Sequence, residues 1–207
     1  MTRTALYSLL LLVASAGAAS AGTITFSFLV DTSGIAALSP TGGWMDFQFN
    51  QFNAFTSLSA NATIDGLDFS GDFILGGTEL ESTGVAGTVP GPITIPNDQD
   101  PANYFTQEIG SWGSSVSFAV TLSGPAVGAP ATDGSGFYVY LLDPGFNQIV
   151  TPPTLTGEIL NVTIDPSGVA TPTTTTFTGG SSEVVPEPST AMLLLPALGL
   201  LAFRLRR

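Results

Sequence analysis

The side chains available for chemistry in this sequence are carboxylates, amides, hydroxyls and aromatic rings. Histidine, cysteine and lysine are absent. Their absence removes the commonest general base and metal ligand. It also removes thiol nucleophiles and disulfides. A serine hydrolase of the Ser–His kind and a Ser–Lys dyad are both excluded. One carboxylate pair stands out by spacing. Glu79 and Glu81 are two residues apart, on one face if the segment is a strand. A glycosidase needs two carboxyls about 5–5.5 or 6.5–9.5 Å apart in contrasting environments. Nothing in the sequence makes one of these two an acid and the other a base, so they read as a solvated strand face. No catalytic residue is assigned, and the chain is predicted not to be an enzyme.

Two further sets of residues could bind something. Calcium takes six to eight oxygens, often from carboxylates and backbone carbonyls on loops. Asp65, Asp68 and Asp72 surround Gly66. Asn97, Asp98 and Asp100 share the loop Pro96 to Pro101, and Asp133 opens an Asp-Gly-Ser-Gly turn. None has the spacing of an EF-hand or a glycine–aspartate repeat. These are weak calcium candidates, which turn chemistry alone can explain; no cofactor is required. The aromatic set is Trp44, Trp112, Tyr104, Tyr138 and Tyr140. Tyr138 and Tyr140 alternate with Phe137, Val139 and Leu141, so they share the face opposite that apolar triplet. Exposed there, they could stack on sugar rings; otherwise they cap a core.

The elements that must position these groups read as strands. Ile24, Phe26, Phe28 and Val30 alternate with mainly polar neighbours (Thr23, Thr25, Ser27 and Leu29). So do Met45, Phe47 and Phe49, then Leu58 to Ile64, Val116 to Leu122, Phe137 to Leu141, and Leu160 to Ile164. Leu67, Phe69, Phe73 and Leu75 are expected to share one face. Period two over many short segments, with Gly, Pro, Asp and Asn between them, predicts an all-β fold. The expected form is an antiparallel β-sandwich, jelly-roll or immunoglobulin-like, over residues 22–170. No stretch of the body carries a helical period with caps. Residues 171–185 are rich in Thr, Gly and Ser and read as a flexible linker.

Charge bounds the partners. The chain has 207 residues, 16 acidic and four basic, for a formal net charge of −12. The basic residues are Arg3, Arg204, Arg206 and Arg207, so the body between carries no positive side chain. Such a body cannot neutralise phosphates, which excludes nucleic acid as a partner.

The two ends address the chain. Arg3, an apolar run and Ala19-Ser20-Ala21 form a secretory signal over residues 1–21, with signal peptidase cutting after Ala21. At the other end, Pro186-Glu187-Pro188 is rigid and extended. Ala191 to Phe203 is an apolar run of 13 residues, and Arg204, Arg206 and Arg207 follow. A helix of that length rises about 20 Å against a hydrocarbon core of about 30 Å. It can just span the inner membrane, with the arginines on the cytoplasmic side.

Residues 186–207, by the order of Pro-Glu-Pro, short apolar helix and terminal arginine cluster, resemble a PEP-CTERM sorting signal. In that family the tripeptide is recognised by an exosortase, a membrane protease that removes the tail. The family occurs in Gram-negative bacteria that make extracellular polysaccharide. The segment Trp44-Met45-Asp46-Phe47-Gln48-Phe49-Asn50 is similar to a strand of other PEP-CTERM proteins, a likeness that supplies no activity.

The reading that follows is an exported acidic protein, held briefly in the inner membrane and sorted by an exosortase to the cell surface, outer membrane or a biofilm matrix. There it is expected to act as a structural or adhesive protein. The alternative is a lectin-like module for extracellular polysaccharide, with a carboxylate-dependent glycoside hydrolase behind it.

Overall fold

The computed structural model describes residues 22–98, 103–150 and 157–185. Twelve strands and one helical turn appear in chain order. They are β1 (Gly22–Asp31), α1 (Ile35–Leu38), β2 (Gly43–Gln51), β3 (Asn61–Ser70), β4 (Ile74–Glu81), β5 (Ile93–Pro96) and β6 (Tyr104–Ser111). There follow β7 (Ser115–Gly124), β8 (Ser135–Leu142), β9 (Leu160–Ile164), β10 (Ala170–Thr174), β11 (Thr176–Phe177) and β12 (Gly180–Val185). They form two antiparallel sheets of six strands. The first has the order β11-β12-β1-β7-β3-β5 and the second β10-β9-β8-β2-β6-β4. β1 pairs with β7, β2 with β6 and β3 with β5. Strands β1 to β7 thus form one long hairpin, bent at β4 and rolled across both sheets on a jelly-roll path, and β8 to β12 extend the two sheets from β2 and β1.

The core follows from alternation. Phe28 and Val30 of β1, Phe118 and Val120 of β7, and Ile93 and Ile95 of β5 face inward from the first sheet. Met45, Phe47 and Phe49 meet them from the second. Phe47 and Phe118 touch edge to face across the sheets, centroids 5.5 Å apart. Each such ring contributes about 1.5–3 kcal/mol by leaving water. The opposite face of the first sheet carries Ser and Thr, as in the Thr25–Thr121 hydroxyl pair at 2.9 Å.

Three expectations need correction. Residues 171–185 are not a linker; they build β10, β11 and β12. Ser182 is buried and donates its hydroxyl to Ile159 O at 2.6 Å, and Phe177 is also buried. The β11–β12 turn packs on α1, where Gly34 N donates to Gly179 O at 2.9 Å. A Cβ on Gly34 would lie 2.6 Å from Gly179 Cα, so no larger residue fits there. A Thr-rich strand at a sheet edge needs ladder hydrogen bonds and β-branching more than apolar content, and composition misreads it. The sandwich therefore runs to Val185. Second, the expected common face holds for Leu67, Phe69 and Phe73, which pack against the core, but not for Leu75, which is exposed on β4 of the other sheet. β3 carries a bulge between Asp65 and Asp68, made by Gly66 at φ +63°, and the chain then crosses to the other sheet. Third, Leu58 and Ala60 precede β3 rather than belonging to it, while β4, β5 and β6 form where alternation is weaker.

Among the described residues no helix is long and apolar enough to cross a membrane. Ala19, Ala21, Asp100, Pro186, Glu187, Pro188, Arg204, Arg206 and Arg207 lie outside the described residues.

Candidate binding face

The second sheet presents a face unlike the rest of the molecule. Because β2 sends Met45, Phe47 and Phe49 inward, it sends Trp44, Asp46, Gln48 and Asn50 outward. β2 lies between β8 and β6, so its outward residues acquire neighbours on both sides. One row runs Tyr140, Asp46, Thr106, and the next runs Tyr138, Gln48, Tyr104. Asn161 of β9 extends the second row beyond Tyr138.

A hydrogen-bond ladder climbs β2 along this face. Asn50 Oδ1 accepts from Asn103 N at 2.9 Å, and Asn50 Nδ2 donates to Gln48 Oε1 at 3.3 Å. Gln48 Nε2 donates to Asp46 Oδ2 at 2.7 Å, and Thr106 Oγ1 donates to Asp46 Oδ1 at 2.6 Å. The ladder ends on a carboxylate only 5 % exposed, although it lies on an outward face. Burial pushes the Asp46 carboxyl above the usual carboxylate range, against the lowering effect of Thr106 and Gln48.

Aromatic rings surround that carboxyl. Tyr138 and Tyr140 stand side by side, half-buried, with centroids 6.4 Å apart. Burial, then the nearby Glu158 carboxylate, raises the Tyr138 phenol. Tyr140 is pushed up to about 12 by burial first, with Glu158, Tyr138 and Asp46 adding to it. Both phenols therefore stay protonated, able to donate, at any physiological pH. Trp44 stacks on Phe146, centroids 4.8 Å apart and 17° from parallel. Phe146 is half-exposed and holds φ at +63°, a left-handed backbone unusual for an aromatic residue. The Asp143 turn imposes it: Asp143 Oδ1 accepts from Gly145 N and Asn147 N, and Phe146 N donates to Asp143 O. The Asn147 backbone N–H, the Asn147 side-chain amide and Gly145 N together hold the Asp143 carboxyl below its ordinary value.

On the far side of the tyrosines lies Glu158, 4 % exposed, whose Oε1 accepts from Asn161 Nδ2 at 3.2 Å. The face thus combines flat rings, protonated phenols, amides and two buried carboxylates. Such a surface can stack on a ring and exchange hydrogen bonds with hydroxyls around it.

Of the five aromatic candidates, Trp44, Tyr104, Tyr138 and Tyr140 share this face, and Trp112 does not. Trp112 is buried against Phe73, centroids 6.0 Å apart. Glu79 and Glu81 lie exposed on the edge strand β4, where Glu79 Oε1 accepts from Val89 N at 3.0 Å. The calcium candidates are dispersed. Asp65 caps its own bulge through Gly66 N, Asp68 sits opposite Ser117, and Asp72 lies in the turn before β4. Asn97 is committed to Ala60 N, Leu58 O and Ser135 Oγ, and Asp133 accepts from Thr56 Oγ1. Among the described residues no three acidic side chains converge on a point that could hold a metal. The sequence reading passed over Asp46, Thr106, Phe146, Glu158 and Asn161. Only Asp46 had left a signal, as the polar phase of the β2 alternation.

Residues 184–207 match the family described as the PEP-CTERM protein-sorting motif. The chain is therefore a PEP-CTERM domain-containing protein, exported as a membrane-anchored precursor and directed to an exosortase. No curated protein and no solved structure matches it.

Proposed function

We propose that this PEP-CTERM protein carries its sandwich outside the cell as an adhesive, carbohydrate-binding module. Its outer face on the second sheet would hold extracellular polysaccharide without cleaving it. The observation that carries this reading is Asp46. A carboxyl is held nearly dry on an outward sheet face, at the end of an amide ladder and between aromatic rings. A merely structural outer face does not need a desolvated carboxylate, which costs free energy. A sugar fits the chemistry, because its ring faces are apolar and its rim is hydroxyl. Stacking on Trp44 or the tyrosines places that rim against Asp46, Gln48 and the phenols. Only the first of the two rows holds an acidic residue, Asp46, so they contain no matched acid and base, and this favours binding over hydrolysis.

The test is calorimetry of the full chain in detergent micelles against a panel of oligosaccharides. Binding that falls ten-fold or more in Trp44→Ala and in Tyr140→Ala supports the reading. No binding by any member, or binding that ignores both changes, overturns it. Release of new reducing ends, lost in Asp46→Asn, would make the protein a hydrolase instead.

A further inference from the structure

The point where the chain leaves the sandwich and the point where it enters the membrane are close together, and their separation fixes which end of the domain meets lipid. Val185 lies opposite Ser27, five residues along β1 from Gly22. Five residues of strand measure about 17 Å, so the domain extends that far beyond the exit in the direction the chain is heading. Only residues 186–190 separate Val185 from the apolar run that opens at Ala191. Stretched to the covalent limit they reach about 20 Å. What remains is less than the headgroup layer, about 5–7 Å on each side of the hydrocarbon. With its strands standing off the membrane, an anchored precursor therefore has the Gly22 pole among the headgroups.

That pole is one bonded unit, built from the loops 52–60 and 125–134 and the turn 165–169. Gly22 N donates to Val127 O at 3.0 Å, Ala126 N to Ser59 O at 3.1 Å, Ala131 N to Pro166 O at 2.8 Å and Ser57 Oγ to Gly134 O at 2.8 Å. It presents apolar side chains to the outside. Phe55 is 97 % exposed, more than any other large apolar residue described, and Val169 and Phe52 are 56 % and 52 % exposed. Phe55 is held in place: its N donates to Asn53 Oδ1 at 3.0 Å, Ser57 N donates to Asn53 O at 3.0 Å, and Thr56 Oγ1 donates to Asp133. A bilayer interface takes such rings out of water without asking the loop to move. The carboxylates of the pole are engaged in its turns. Asp133 accepts from Thr56 Oγ1, and Asp165 Oδ1 accepts from Ser167 N and Val169 N. With Asp98 they make the pole acidic, since no basic side chain lies between Arg3 and Arg204. The lipid it suits is electrically neutral.

We propose that the Gly22 pole is a membrane-docking surface: Phe52, Phe55 and Val169 enter the interface of neutral, zwitterionic lipid around the precursor's own anchor and hold the domain upright on it. The docking does not depend on the carbohydrate reading.

The test puts a tryptophan reporter on the full chain, inserted in phosphatidylcholine vesicles whose acyl chains are brominated near the headgroup. Bromine quenches a tryptophan only on contact, and the wild type, with Trp44 and Trp112, supplies the background. Val169→Trp should lose most of its added emission to the brominated lipid. Leu38→Trp, on the helical turn at the opposite pole, should lose almost none. A long Gly/Ser insert between Val185 and Pro186 then separates docking from mere tethering. The Val169→Trp signal should survive the insert and disappear when Phe52→Ser and Phe55→Ser are added, with the melting temperature little changed because both rings are exposed. Anionic phosphatidylglycerol should weaken it in the lengthened chain. The proposal is overturned by an unquenched Val169→Trp, by equal quenching at Leu38→Trp, by loss of the signal on insertion alone, or by its survival without the two rings. Stronger docking to anionic vesicles overturns the choice of lipid. Blue-shifted emission that bromine leaves untouched and that grows with protein density assigns the pole to a second copy of the chain instead.

Discussion

Asn97 donates from Nδ2 to Ser135 Oγ at 2.8 Å, and this bond ties the end of the first sheet to the start of β8 in the second. The same side chain accepts from Ala60 N at 2.7 Å and donates to Leu58 O at 3.0 Å, so all of it is used inside the protein. Asn97→Ala would leave the buried Ala60 N without its side-chain acceptor and reduce Leu58 O to a long bond from Gln51 Nε2 at 3.5 Å. The expected loss is about 2–3 kcal/mol, read as a lower denaturant midpoint at unchanged m-value. A loss under about 0.5 kcal/mol would show that the clamp is dispensable.

Phe146 sets two effects against each other. Its left-handed backbone costs about 1–2 kcal/mol for a non-glycine residue, and its stacking on Trp44 returns about 0.5–1.5 kcal/mol. Phe146→Gly should therefore lie within about 1 kcal/mol of the wild type. Phe146→Ala keeps the backbone cost and loses the stacking, so it should be less stable than the glycine variant by about 1 kcal/mol. Both should weaken sugar binding, since Trp44 loses its support. Thermal unfolding of the pair decides; an alanine variant as stable as the glycine variant would mean the turn imposes no strain.

Asp46 fixes the sign of a pH effect. Its carboxyl is raised in the folded protein, so the fold favours the protonated form. The associated stability is fully present below the unfolded value of about 3.9 and is lost as pH rises through the folded value. Asp46→Asn removes this loss, because the Thr106 hydroxyl can accept from the new amide. The variant's melting temperature should gain on the wild type as pH rises from about 4 to 7, at about 2–4 °C per kcal/mol for a domain of this size. A constant difference across that range would show that the carboxyl does not titrate as its burial requires.

The last two strands are expected to be indispensable. A chain ending at Thr174 loses the burial of Phe177, the Ser182 bond to Ile159 O, and the cover on β1. It should be less stable than a chain ending at Val185 by at least about 3 kcal/mol. Limited proteolysis supplies the check: the shorter chain should be cut within β1, and the longer one should resist.

For the tail, Glu187→Ala should leave full-length protein in the inner membrane of the native host while the body stays folded. Intact mass of surface-recovered protein reports it. Wild-type protein recovered there with Arg204 to Arg207 still attached would show that the segment is a permanent anchor.

How much of this was legible depended on whether a residue's role is local. The alternation in Phe26 to Val30 and in Met45 to Phe49 is local, and it yields both strands and the inward faces. The orientation of Tyr138 and Tyr140 followed from the same rule. What alternation cannot supply is which strands become neighbours. Thr106 bonds Asp46 across 60 positions, and Glu158 reaches the tyrosines only because β9 folds back beside β8. The bulge at Gly66 shifts the phase of β3 in mid-strand and defeats period counting. Residues 171–185 failed for another reason. Their strands are held by ladder pairing with β9 and β1, and pairing leaves no mark on composition.

β12 lies antiparallel to β1, with Val185 opposite Ser27, so the chain leaves the sandwich toward the pole where Gly22 begins. The sorting segment matched from residue 184 starts within that last strand. While the tail is held in the bilayer, a tug on the domain is delivered along the length of β12. Hydrogen bonds between antiparallel strands lie across that direction. Five ladder positions, Ser27 to Asp31, then share the load together instead of opening one after another. The domain is in effect moored by a shear joint, so a precursor still awaiting its protease resists being unravelled from its end.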